Sequence, residues 1–183
     1  MEPAAEPPTA IKRAELFKSN IELWKARNAL RAASTGATVD PKIAELFGSI
    51  RKICEAINAA ETMRIEFRSA GSECYLRTNR VSVTVSLKTP RGEFELLVRQ
   101  YDGKLAFVGE RVSFPEPRAI EESTFFPTLN VDREFGWAGE REGSNFSSNE
   151  TLANEVVRQL VDLAEKEALG KITRPLRVSA YRS

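Results

Sequence analysis

The chain has no histidine in 183 residues. Histidine is the only side chain whose unperturbed pKa lies near neutrality. Its absence excludes nucleophile activation of the Ser-His-Asp and Cys-His kinds, and the usual histidine-containing zinc and non-haem iron sites. Carboxylate, lysine or tyrosine chemistry survives that filter, but the balance moves away from an enzyme. Only two cysteines occur, Cys54 and Cys74. They are too few for a disulfide framework and are not in C-x-x-C spacing, which points to a reducing, cytoplasmic compartment. There is no run of about 18 apolar residues, so no transmembrane helix is expected. The opening MEPAAEPPTA lacks the basic and apolar regions of a secretory signal. Two sequons, Asn145-Phe146-Ser147 and Asn149-Glu150-Thr151, are therefore not expected to carry glycans.

Net charge is also nearly absent, at +1. That removes the simplest electrostatic case for a nucleic-acid or membrane partner. The charge is nevertheless unevenly distributed. Residues 119 to 170 hold 11 acids and 4 bases, a local charge of −7 against +8 elsewhere. Opposed patches of this kind can orient a protein partner or a second copy of the chain.

Hydrophobic content of 42% and charged content of 29% fit one globular domain, expected over residues 10–170. Residues 1–9, rich in proline and alanine, read as a flexible leader. A first helix is expected at about 10–34, with Thr9 as its cap and Gly36 as its stop. Leu16, Leu23 and Leu30 recur every seven residues, and Phe17, Ile21 and Trp24 widen the stripe to about half the circumference. Such a stripe needs more than one neighbour: the plain reading is a core helix, the sharper one a docking or dimerising helix. A second helix is expected at about 41–61, with Asp40 as cap and Pro41 at its first position. Its stripe of Ile43, Leu46, Phe47, Ile50, Ile53, Cys54 and Ile57 makes Cys54 a small buried hydrophobe. A short connection predicts that the two helices form an antiparallel hairpin.

After Thr62 the period falls to two, which predicts strands between about 63 and 131. Met63, Ile65 and Phe67 alternate with charges, as do Val81, Val83, Val85 and Leu87 with polar residues. Asp102-Gly103 has the composition of a tight hairpin turn, so Leu105 to Val112 is expected to return beside the preceding strand. Pro127 places the segment Ser123 to Val131 at a sheet edge. Ser147, with Glu150 three residues on, predicts the cap of a final helix at about 148–169 ended by Gly170, and Phe146 is placed to staple its start. Residues 171–183 read as a basic tail or an edge strand. The fold class is α+β: a helical hairpin, an antiparallel meander of about five strands, and a C-terminal helix on the sheet.

No phosphate-binding glycine loop, zinc pattern or calcium loop is present, and no cofactor or metal is expected. Gly136, Gly139 and Gly143 match neither the dinucleotide nor the Walker spacing. Arg64, Arg68, Arg77, Arg80, Lys88, Arg91 and Arg99 could contact phosphate, but interleaved acids explain them equally well as cross-strand ion pairs. Only Tyr75 and Tyr101 are candidates for an exposed stacking face, so nucleic acid is disfavoured. The binding candidates are Phe125, Phe126, Arg133, Phe135, Trp137 and Arg141, which surround the aromatic, glycine-containing stretch from 132 to 147. The expected function is a non-enzymatic protein-binding or adaptor module, self-association included. The alternative is a small apolar ligand held between the sheet and the last helix under a lid at 132–147. Odd-numbered Phe135 and Trp137 could instead extend a strand's buried face.

Overall fold

The computed structural model describes residues 10–33, 36–103, 106–108, 111–113, 119–140 and 145–172. The expected leader at 1–9 and nearly all of the tail at 171–183 lie outside them. The fold is α+β. Two N-terminal helices, α1 (Ala10–Ala33) and α2 (Gly36–Ala59), precede the strands, and α3 (Asn149–Ala168) follows them. The strands are β1 (Glu66–Ala70), β2 (Glu73–Arg77), β3 (Ser82–Lys88), β4 (Glu95–Tyr101), β5 (Ala106–Val108), β6 (Arg111–Ser113), β7 (Ala119–Leu129), β8 (Phe135–Gly139) and β9 (Phe146–Ser147). Seven form one antiparallel sheet in the order β1-β2-β3-β4-β7-β8-β9, while β5 and β6 form a separate ribbon.

Alternation determines which sheet face is dry. Cys74 pairs with Val85, Leu76 with Val83 and Val85 with Val98, so one face presents an apolar field. Helices α2 and α3 lie side by side over it. Ile43, Leu46, Ile50 and Cys54 of α2 are buried there with Leu152, Val156, Leu160 and Leu163 of α3. Asn58 fastens the entry to the sheet: its side chain accepts from the Ile65 amide at 2.7 Å and donates to the Ile65 carbonyl at 2.8 Å. At the far end of α3, Gly170 adopts φ +64°. The Lys171 amide bonds Lys166 and the Gly170 amide bonds Glu167, the paired bonds of a Schellman termination.

Several boundaries differ from expectation. Gly36 begins α2 rather than stopping α1, and Pro41 lies inside the helix. The added turns bring Val39 into the core, and that burial offsets the backbone bond proline cannot make. The described part of the segment expected to return beside β4, Ala106–Val108 and Arg111–Ser113, does not pair with it. The strand there is β7, and the short β5–β6 hairpin stands apart because Ala106 to Val108 pairs within its own ribbon. Pro127 is not on an edge strand, since β7 lies between β4 and β8. It falls past the last β4–β7 pair, Leu96 with Phe125, where β7 pairs with β8 alone, so the missing amide takes nothing from the β4 ladder. Ser148, not Ser147, caps α3: its Oγ accepts from the Thr151 amide at 3.2 Å. Ser147 is committed to β9, where it pairs with Trp137.

Candidate interaction surface

Strand β8 carries two of the six binding candidates into the interior. Trp137 is fully buried, and its Nε1 donates to Asn149 Oδ1 at 2.7 Å. Phe135 meets Trp137 edge-to-face at 5.4 Å between centroids, with the Lys42 ammonium 6.0 Å from the Phe135 ring. Phe125 packs against the same core from β7. Phe126, the next residue on a pleated strand, is half-buried on the other face. Arg133 is exposed and takes φ +63° in the β7–β8 turn. There the Asn130 side chain accepts from the Asp132 and Glu134 amides, both at 2.9 Å, so the position of Arg133 follows from the turn. Arg141 lies outside the described residues. The five described candidates therefore do not converge on one surface, and the described part of 132–147 forms β8 and β9, with Phe135 and Trp137 on a strand's buried face as their odd-numbered alternation allowed. With Ser148 as the cap, Phe146 stands two residues before it, one short of the staple position. Its ring lies on Gly136, where an added Cβ would come within 2.2 Å of it.

The polar face of the sheet is organised by ion pairs. Glu66 meets Arg77, Glu73 meets Lys88 at 2.8 Å, and Arg99 meets Glu122. At the end of α3, Arg80 meets Glu167 at 3.2 Å. Burial opposes ionisation of Glu73, yet hydrogen bonds from Lys88 and Tyr75 outweigh it and hold the carboxyl below its ordinary value. Tyr75 donates to Glu73, and Tyr101 is buried. Among the described residues no three His, Cys, Asp or Glu side chains cluster as metal ligands. A shallow cleft is lined by Asp102, Glu167, Gly170 and Ile172.

Among the described residues the largest apolar exposure is on α1. Phe17 is 68% and Trp24 60% exposed, and Ile11, Leu16 and Ile21 are exposed with them. Residues 10 to 20 are exposed on every side of the helix, so the first half of α1 stands clear of the body. The second half rests on β7. Leu23, Ala26, Arg27 and Leu30 are half-buried, and Arg27 Nε donates to the Leu129 carbonyl at 2.9 Å. At about 100° per residue, the row Phe17-Ile21-Trp24 lies roughly 120° round the helix from that supported row. The stripe was visible in the sequence, but its exposure depends on which residues of α1 reach β7. No protein-family model, curated protein or solved structure matches the chain.

Proposed function

We propose that the protein is a non-enzymatic protein-binding module, an adaptor, that docks its partner through α1. The observation that carries this reading is the exposed row Phe17, Ile21 and Trp24 on a helix whose other face is supported by β7. Large aromatic side chains are the usual anchors of protein interfaces. Of the seven large hydrophobics exposed among the described residues, five are on α1, whereas Val131 and Leu169 stand elsewhere. The spacing i, i+4, i+7 is that of a helix that inserts its apolar face into a complementary surface. The body then serves as a support that presents the helix at a fixed angle.

The test compares wild-type protein with Phe17→Ala/Ile21→Ala/Trp24→Ala as baits in extracts of the native host, with bound proteins identified by mass spectrometry. Alanine preserves helix propensity, so circular dichroism and thermal melting should match between the two. A defined protein set retained by wild type and lost by the variant is the expected result. Identical captures, or no capture by either, would remove α1 as the docking element.

A further inference from the structure

We infer that the partner presents an acidic amphipathic helix, which pairs along α1 in coiled-coil fashion. This inference rests on the protein-binding reading above and adds the chemistry of the partner. Ala10, Ala14, Phe17, Ile21, Trp24 and Asn28 succeed one another at intervals of four, three, four, three and four residues. That is the spacing of a heptad seam, and Asn28 falls on a seam position, where a polar residue fixes register. The positions flanking a seam decide which partner fits it. Here the charged flanking residues are Arg13, Lys18, Lys25 and Arg27, all basic; Glu15 and Glu22 lie one row further round. Arg13, Lys18 and Lys25 are exposed, while Arg27 is tied to the Leu129 carbonyl.

Charge therefore distinguishes the occupants. A second copy of the chain would set basic flanks against basic flanks in either helix orientation, which opposes pairing. A helix with Glu or Asp at its flanks would meet three exposed cations along about three turns. An anionic bilayer would also attract those cations, but an interfacial helix buries a broad apolar face. With β7 supporting the Leu23–Leu30 side, the open row of α1 is three large side chains in a line continued by Ala10, Ala14 and Asn28, with Ile11 beside it and Leu16 on the supported side. Its support on β7, roughly 120° away, leaves the seam open to a helix lying alongside.

The experiment uses the full chain and two synthetic peptides of three heptads with the same Leu/Ile seam, one with Glu and one with Lys at the flanks. Fluorescence anisotropy should show the Glu peptide binding at least about tenfold tighter, with the difference shrinking as salt rises. Lys18→Glu/Lys25→Glu should reverse that preference, and Phe17→Ala/Trp24→Ala should abolish binding of both peptides. Equal affinity for the two peptides, or a preference for the Lys peptide, overturns the inference. Sedimentation showing a dimer that Phe17→Ala/Trp24→Ala dissociates, with no peptide bound, assigns the surface to a second copy. That overturns the acidic partner and leaves the protein-binding reading standing. Binding to phosphatidylserine vesicles with the Glu peptide unbound overturns both.

Discussion

Trp137 and Asn149 are joined by a 2.7 Å hydrogen bond from the indole Nε1 to the amide Oδ1, at the point where β8 meets the first turn of α3. The Asn149 amide nitrogen donates in turn to the Lys42 carbonyl at 3.0 Å, so one side chain links β8, α3 and α2. A buried tryptophan needs a partner for its N–H, and a buried asparagine needs several. Each satisfies the other. Asn149→Ala should leave the indole N–H and the Lys42 carbonyl without these partners, at a cost of about 2–4 kcal/mol. Thermal melting should fall by roughly 5–15 °C. In a double-mutant cycle with Trp137→Phe the losses should be less than additive, because either change breaks the same bond. Strict additivity would mean that the bond contributes nothing measurable.

Placement of α1 makes its aromatic residues separable from stability. Phe17→Ser and Trp24→Ser remove exposed side chains and should change unfolding free energy by about 0.5 kcal/mol or less. Ile50→Ala, at a fully buried site facing α3 and the sheet, should cost about 2–5 kcal/mol. Acrylamide quenching gives an independent check: Trp24 should be quenched readily and Trp137 only on unfolding, so Trp24→Phe should remove the accessible emission. Loss of more than about 2 kcal/mol in Trp24→Ser would show that α1 is folded against the body more closely than its exposure indicates.

Gly136 is required by contact rather than by backbone conformation. A Cβ there would lie 2.2 Å from the Phe146 ring and 2.5 Å from the Ser147 carbonyl. Gly136→Ala should therefore separate β9 from β8 and cost about 1–3 kcal/mol, the usual range for overpacking. Adding Phe146→Ala should restore only part of the loss, because the Ser147 carbonyl remains in place. Chemical denaturation of the three variants checks the order, and full restoration would place the whole conflict at the ring.

Both cysteines are buried, and burial pushes the Cys54 thiol up from 9.0 to about 12 and raises Cys74 as well. A folded-state pKa above the unfolded value means stability that is complete below pH 9 and lost as pH rises, since only the unfolded thiols then ionise. Unfolding free energy should fall above about pH 9 by up to roughly 1.4 kcal/mol per pH unit for each thiol. Cys54→Ala should make that alkaline slope shallower. Iodoacetamide at pH 8 should modify neither thiol in folded protein and both in denaturant. Rapid labelling of the native state would contradict their burial.

Strand β3 was legible because its apolar residues alternate: Val81, Val83, Val85 and Leu87 are buried where the period of two put them, although Ser82 and Thr84 between them are buried as well. The stripe of α2 was legible because one side of the helix faces the core. Failures came where a local signal competes with a distant neighbour. Asp102-Gly103 has turn chemistry, yet β4 finds β7 rather than the next segment in the chain. Ser147 and Ser148 are chemically interchangeable as caps, and the pairing of Ser147 with Trp137 decided between them.

The six sequence-selected candidates were chosen for an unusual concentration of aromatic residues and glycine, but composition does not reveal which way a side chain points. Sequence alone determined the periodicities, the elements they form, the absence of imidazole chemistry and the apolar row on α1, because these are local properties of the chain. Tertiary structure decided that Trp137 is core and Trp24 is surface. Burial depends on which neighbours the topology supplies: β8 meets α3, with Lys42 of α2 over Phe135, whereas α1 rests on β7 through its second half and its first half is exposed.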